Sequence, residues 1–260
     1  MKPIYSICTT SYNSASAADG FAKPLLKLDE KFEIIVVDNI SFDGTADAIK
    51  KYEPRIKVFS EKCTRGGGRQ KAMELSNGSI IIHVDFDVSY SGILEAVKFY
   101  ESSNKDKIYY IQAVKHKCSA CLYIGRRELF DKVDGFPNMN HSDDTYFNKK
   151  TNAVGLLSII SLEMSHDCLD VRGLSSGAES RYERTKLKQA IRRIIATRDI
   201  LFVNGFSYTE LMKKYRLSGK RAFFEGLPEY LLGKILRFTI KVPTVESEIK
   251  AIKSKMNSDN

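Results

Sequence analysis

Glu33-Ile34-Ile35-Val36-Val37-Asp38, followed by Asn39-Ile40-Ser41-Phe42-Asp43-Gly44-Thr45, decides the fold. Four consecutive β-branched residues closed by a carboxylate read as a strand buried on both faces, because a half-buried strand would alternate apolar and polar residues. The Ser, Asp, Gly and Thr that follow are turn and cap chemistry, and they launch a helix expected to end near Tyr52. The same grammar recurs on either side. Residues 4–8 form an apolar run that stops in Thr9-Thr10-Ser11-Tyr12-Asn13. Residues 55–60 read as a third strand. Gly66-Gly67-Gly68 then opens a second helix, 69–75, as flexible backbone, and 79–84 is a fourth strand that delivers Asp85. Strands of this kind alternating with helices predict an α/β fold, a Rossmann-like, mostly parallel sheet with both faces covered. Ligands bind beyond the carboxyl ends of such strands, so Thr10 to Asn13, Asp38 to Asn39 and Asp85 to Asp87 are expected to converge on one crevice.

Further along, a helix is expected over 93–100, strands over 108–114 and 118–124, and a helix over 126–133. A polar loop, 138–144, leads into another helix at about 144–153, and an apolar run covers 154–162. Beyond Gly177 the period changes: Leu187, Ile191, Ile194, Ile195, Leu201 and Phe202 recur at helical spacing, Ser207 with Glu210 makes a capping box, and Pro228 can start a helix.

Of the 260 residues, 43% are hydrophobic and only 6 are Pro, which excludes a disordered or fibrous chain. The net charge of +9 is uneven, since residues 180–260 hold 18 Lys and Arg against 8 Asp and Glu. A basic end of this kind attracts phosphate, whether on lipid, nucleic acid or an acceptor. The five cysteines are odd in number and scattered, so reduced, packed thiols are expected; Cys118 and Cys121 have the spacing of half a zinc site with no second half. No run reaches the roughly 18–20 apolar residues that span a bilayer, and the N-terminus is polar by Thr9, too early for a signal peptide, so a cytoplasmic location is the expectation.

Asp85-Phe86-Asp87 puts two carboxylates one residue apart after Ile80-Ile81-Ile82-His83-Val84. At the mouth of a sheet they repel each other unless a cation or hydrogen bonds compensate, and a hard divalent ion, Mn2+ or Mg2+, suits oxygen ligands. Taken with Thr10-Ser11-Tyr12-Asn13, the 36–45 segment, Gly66-Gly67-Gly68-Arg69-Gln70, Gly125 to Phe130, Val133 to Phe136 and Ser142-Asp143-Asp144, the sequence resembles glycosyltransferase family 2, the inverting GT-A enzymes, over about residues 3–166.

The resemblance implies a GT-A catalytic domain over 1–176, with a nucleotide-sugar half to about residue 90 and an acceptor half from about 91, followed by a basic helical extension over 177–260. It implies a nucleoside-diphosphate sugar donor, carrying UDP or GDP, and a glycan or lipid-linked acceptor hydroxyl. Thr10, Tyr12 and Asn13 would lie at the nucleotide, Asp38 would accept from the base, and Arg69 would sit near the base or diphosphate. Asp85 would face ribose and metal, Asp87 would bind the metal, and Asp144 would be the general base. Three positions depart from the family pattern: Thr10 replaces a Pro, Gln70 an Asn, and Asp143 the Glu of the family's Glu-Asp pair, so Asp143 and Asp144 both stand as catalytic candidates. His166, after the apolar run, would be a third metal ligand. His83 and His141 are assigned packing or acceptor contact.

Residues 228–242 mix Tyr230, Leu231, Leu232, Ile235, Leu236, Phe238 and Ile240 with Lys234, Arg237 and Lys241, as interfacial helices do, which suggests peripheral contact with an anionic membrane at its inner face. A sugar-phosphate nucleotidyltransferase would carry a Gly-rich basic signature near the first strand, and residues 9–16 hold none. That nucleotidyltransferase and a catalytically silent nucleotide-sugar-binding protein stay open as the alternatives. Nucleic acid is not the expected partner.

Overall fold

The structure, a computed structural model, describes residues 2–113, 121–169, 186–218 and 226–258. Its nucleotide-side half alternates β1 (Tyr5–Ser11), α1 (Ala18–Leu25), β2 (Phe32–Asp38), α2 (Thr45–Lys50), β3 (Ile56–Ser60), α3 (Arg65–Glu74) and β4 (Ile80–His83). After a two-residue strand, β5 (Val88–Ser89), come α4 (Ile93–Ser102), β6 (Ile108–Ala113), β7 (Cys121–Arg126), α5 (Arg127–Lys132), α6 (Asp143–Ala153) and β8 (Leu157–Leu162). A second short strand, β9 (Asp167–Cys168), precedes the helices α7 (Lys186–Asn204), α8 (Tyr208–Tyr215), α9 (Leu227–Leu236) and α10 (Val245–Ser258).

Seven strands form one sheet in the order β3-β2-β1-β4-β7-β6-β8. Only β7 runs against its neighbours, antiparallel to both β4 and β6, while the β1–β2, β1–β4, β2–β3 and β6–β8 pairings are parallel. The mostly parallel, helix-covered sheet expected from the sequence is therefore present. All seven residues of β2 are buried, and strand alternation sorts them between two cores. Ile34 and Val36 join Ile7 and Ile82 on one face, and Ile35 and Val37 join Cys8 and Ile81 on the other. A continuous apolar run is what two covered faces require.

Three expectations are corrected. Residues 14–31, to which the sequence pattern assigned no element, hold α1, whose buried Ala18, Phe21, Ala22 and Leu25 follow helical spacing and whose interior Pro24 obscured it. Gly66-Gly67-Gly68 is not flexible backbone ahead of the helix; it lies within the first turns of α3, capped by Thr64 Oγ1 accepting from Gly67 N at 3.0 Å. Reduced thiols hold for Cys8 and Cys63, which are free, but Cys168 is disulfide-bonded, its partner lying outside the described side chains. The Cys118 half of the zinc pattern, and the boundary at 176 and 177, also fall outside the described residues.

The capping box of Ser207 and Glu210 forms as read, and α9 begins with Pro228 in its first turn. The last helix, α10, returns to the α/β body: Ile252 is fully buried in the second core, Lys150 meets Glu248 at 3.3 Å, and Tyr146 Oη donates to Pro243 O at 2.6 Å. No helix among the described residues is long and apolar enough to cross a membrane.

The α3 glycines explain how that helix sits so close to its neighbours. A Cβ on Gly66 would lie 2.0 Å from Pro137 O, a backbone atom that cannot swing away, whereas one on Gly67 would meet only side-chain atoms at 3.0 Å. Gly66→Ala is expected to cost about 1–3 kcal/mol through overpacking. Gly67→Ala is expected to be near neutral, because a gain in helix propensity of about 1 kcal/mol offsets the lesser crowding. Urea unfolding of the two variants checks the order, and equal stabilities would contradict it.

Candidate active site

The crevice expected beyond the strand ends exists. A cavity of about 490 Å³ is lined by Thr10 and Ser11 at the end of β1, Tyr12 and Ser14 just beyond it, Asn39 after β2, and Val84 to Asp87 after β4. Its remaining wall is Arg65 and Arg69 from α3, Asn140 and His141 from the loop before α6, and Ile191, Arg192 and Ile195 from α7. The volume lies in the range that encloses small-molecule ligands.

Arg69 organises its floor. One arm of the guanidinium donates to Asp85 Oδ1 at 2.7 Å and another to Asp143 Oδ2, also at 2.7 Å. Arg65, one turn earlier on the same helix face, donates through Nε to Asp143 Oδ1 at 2.7 Å, and its Nη2 reaches the same oxygen. Asp143 is thus fully buried with both oxygens engaged by arginines. Burial alone would raise its pKa; Arg69 and then Arg65 outweigh that and hold the carboxyl below the ordinary range. For Arg69 itself, burial pulls the pKa down, and Asp143 and Asp85 more than restore it. The arginine also lies 5.6 Å from the Phe136 ring.

Asp85 sits differently. Its side chain is 40% exposed at the cavity wall, yet the enclosing protein raises its pKa, Asp87 adds to the rise, and Arg69 opposes it. A carboxylate raised by a like neighbour is one that a cation would settle, so the two side chains suit a hard divalent ion. The segment bearing His166 is brought alongside: β9 pairs with β5, and Leu169 N donates to Asp87 O at 2.8 Å. The imidazole is buried, with Nδ1 3.0 Å from Met164 O. Among the described residues no three His, Cys, Asp or Glu side chains gather as a metal cage.

The other expected residues divide. Thr10 and Tyr12 line the cavity; Thr10 Oγ1 donates to Val37 O at 2.9 Å, and Tyr12 meets Phe42 edge-on at 6.3 Å. Asp38 and Asn13 lie behind that wall. Asp38 is 1% exposed and accepts from Ser11 Oγ at 2.9 Å and from Ser41 N and Oγ at 2.8 and 2.5 Å. Asn13, at φ +45°, accepts through Oδ1 from Phe42 N at 3.1 Å and donates its own backbone N–H to Ser41 Oγ at 2.8 Å. Both clamp the loop after β2 onto the loop after β1. Asp144, 43% exposed at the start of α6, accepts from Thr145 N at 2.8 Å and stands 3.7 Å from Arg65. His83 is packed against Phe136 at 4.6 Å and Phe130 at 5.7 Å, its pKa pushed down to about 3 by burial and then by Arg69.

Sequence reasoning missed Arg65, Asn140, Arg192 and Ile195 as wall residues. Arg65 carried a usable signal, since it lies four residues before Arg69. The α7 contribution carried none, because a helix more than 40 residues beyond Asp144 reaches the cavity only through tertiary packing. His141 N donating to the buried Asp199 of α7 at 3.2 Å is one of the contacts that dock it.

Residues 6–149, more than half of the chain, match the sequence profile described as glycosyl transferase family 2. A cholesterol galactosyltransferase of Borreliella burgdorferi is 27% identical over 165 residues, 58% of this chain and 46% of that protein. The chain's matches span less than half the length of each curated relative. Among solved structures, Staphylococcus aureus TarS 1-349 in complex with UDP-GlcNAc shares the fold with a TM-score of 0.60 and 21% identity, over 90% of this chain and 79% of that one. The mannosyltransferase PcManGT of Pyrobaculum calidifontis, in complex with GDP-Man and Mn2+, does so with a TM-score of 0.53 and 17% identity, over 100% and 76%. The fold is the GT-A arrangement of such proteins.

The buried ion-pair network has a pH signature. Because Asp143 has a depressed folded-state pKa, its contribution is complete at neutral pH and is lost as pH falls below about 4 through that folded value. Asp143→Asn leaves two arginines facing a neutral amide and is expected to cost about 3–5 kcal/mol at pH 7. It should also flatten the acid limb of the stability–pH curve; an unchanged acid limb in denaturant titrations would count against the network.

Proposed function

We infer that this chain, which belongs to glycosyl transferase family 2, transfers a sugar from a nucleoside diphosphate to an acceptor hydroxyl with inversion at the anomeric carbon. The observation that carries the inference is the Arg69 fork. It ties Asp85, at the carboxyl end of β4, to the first turn of α6, and so sets a cation-suited pair of carboxylates and a base-bearing helix start against one cavity.

The roles follow from environment. Asp85 and Asp87 would hold Mn2+ or Mg2+, which when bound supplies positive charge to the departing diphosphate. Thr10, Tyr12 and Asn39 form the wall suited to the nucleoside, with Asp38 and Asn13 fixing that wall from behind. Arg192 and Arg65 add positive charge at the rim, where phosphate oxygens are favourable. Asp143, with both oxygens engaged by arginines, is a positioning group. Asp144, exposed on the same turn, takes the proton from the acceptor hydroxyl as its oxygen attacks the anomeric carbon; the bond to the diphosphate oxygen breaks and its electron pair leaves with the nucleoside diphosphate. Attack opposite the leaving group inverts the carbon.

Proteins of similar fold are named with UDP-GlcNAc and with GDP-Man, which supports a UDP- or GDP-linked donor. The cholesterol acceptor in one relative's name supports a lipid or lipid-linked hydroxyl ahead of a free sugar.

Thermal stabilisation by UDP-, GDP- and dTDP-sugars with Mn2+ tests the donor half, since a ligand of the folded state alone raises the melting temperature. Asp87→Ala is expected to remove the metal-dependent part of that shift. Asp144→Asn is expected to keep the shift and lower kcat by about 10²–10⁴. Retained turnover in Asp144→Asn would move the base elsewhere.

A further inference from the structure

Helix α9 is turned with its apolar side outward. Its inward residues are Glu229 and Gly233, both buried. Leu231, Leu232, Ile235 and Leu236, together with Phe238 in the turn Arg237–Thr239, are 50, 43, 66, 36 and 78% exposed. An amphipathic helix at a protein surface normally buries such residues, so the reversed orientation needs a cause. Two contacts with α7 supply it. A Cβ on Gly233 would lie 2.8 Å from Thr197 Cγ2, so only a glycine face lets the helices approach this closely, and Arg193 Nε pairs with Glu229 Oε1 at 2.8 Å. The outward face is therefore fixed by the packing on its other side.

Charge identifies what covers it. Between residues 231 and 241 the chain carries Lys234, Arg237 and Lys241 and no carboxylate. Lys234 Nζ lies 5.8 Å from the Tyr230 ring and Arg237 Cζ 4.9 Å from the Phe238 ring, so the cations are interleaved with the apolar side chains rather than set apart from them. A second copy of the chain meeting this face would oppose like charges. A surface that takes apolar side chains to a shallow depth and presents anions around them is the interface of an anionic bilayer.

We propose that the outward face of α9 and the turn after it dock on an anionic phospholipid membrane, with Leu232, Ile235 and Phe238 entering the headgroup–acyl boundary and Lys234, Arg237 and Lys241 meeting phosphates. Ile191, 47% exposed, belongs to α7, the helix on which α9 rests, and with Arg192 and Ile195 it walls the cavity. The helix held at the membrane is thus backed by one that shapes the site. In the transferase proposed above, on which this last step rests, a lipid-linked acceptor would reach the cavity along α7.

Co-sedimentation of the full chain with phosphatidylcholine vesicles, with and without phosphatidylglycerol, tests docking independently of the transferase assignment. Binding is expected to the phosphatidylglycerol vesicles alone and to weaken with salt. Ile235→Glu/Phe238→Glu and Lys234→Glu/Arg237→Glu, all at surface positions, should each lower partitioning roughly tenfold or more while leaving the thermal unfolding midpoint in place. Wild-type failure to sediment at low salt, or binding by both double variants as strong as that of the wild type, would overturn the proposal. So would a lipid-free dimer in sedimentation velocity that the Ile235→Glu/Phe238→Glu variant dissolves, since a second copy would then own the face. Nucleotide-sugar-dependent thermal shifts on the same variants separate the two assignments: shifts retained with docking lost support docking as a distinct property, and shifts absent in all forms count against the transferase alone.

Discussion

A carboxylate with no access to water survives only if its charge is met by donors held at fixed positions. Asp143 is in that situation, and Arg65 and Arg69 are the answer. Removing either partner would strand a charge in a medium where the penalty is several kcal/mol, which makes the cluster strongly conditional on its own completeness. Because both arginines lie on one face of α3, satisfying Asp143 also fixes the distance and rotation of α3 against α6. The spare arm of Arg69 then fixes Asp85. A single electrostatic requirement therefore sets the relative placement of the nucleotide-side sheet end and the helix that starts the acceptor side.

Such an arrangement is possible only if α3 can come close. The ideal Cβ at Gly66 falls within 3.0 Å of Asp143 Cβ and closer still to Pro137 O, and at Gly68 it falls 2.3 Å from Thr10 Oγ1. Any larger residue would push the arginines away from the carboxylate they neutralise. Steric permission and charge compensation are thus two aspects of one helix turn. The cost of glycine in a helix, about 1 kcal/mol each relative to alanine, is small beside the ion pairs it allows.

Helix α7 links the two ends of the molecule. Its Ile191, Arg192 and Ile195 wall the cavity, Asp199 holds His141 N, Val203 packs with Met139, Tyr146 and Val245, and Thr197 receives Gly233 of α9. One element thus touches the site, the loop before α6 and the helix whose apolar side faces out. In the proposed enzyme, the acceptor's route and the acceptor's home surface would share that element, and their spacing is set by a helix rather than by a loop.

Much was legible in the chain. The run 34–37 announced a strand buried on both faces because apolar side chains on successive residues can be hidden only by covering both sides of a sheet. Val84-Asp85-Phe86-Asp87 declared a carboxylate pair at a strand end, and Ser207 with Glu210 declared a helix start, since each is chemistry between residues adjacent in sequence. Interior Pro24 hid α1, and three glycines made the first turn of α3 read as flexible backbone, because local propensity was overridden by packing that propensity does not record. Equally, Asp143 and Asp144 are indistinguishable as letters. What distinguished them was which one faced the arginines of another helix. The sequence by itself determined the strand–helix alternation and the residues able to do acid, base and metal chemistry, all of which depend on near neighbours. Only the tertiary structure decided which of two adjacent aspartates is sealed and which is exposed, that Asp38 and Asn13 brace a wall instead of lining it, and that α9 faces outward, because burial and charge compensation are properties of contacts between residues tens of positions apart.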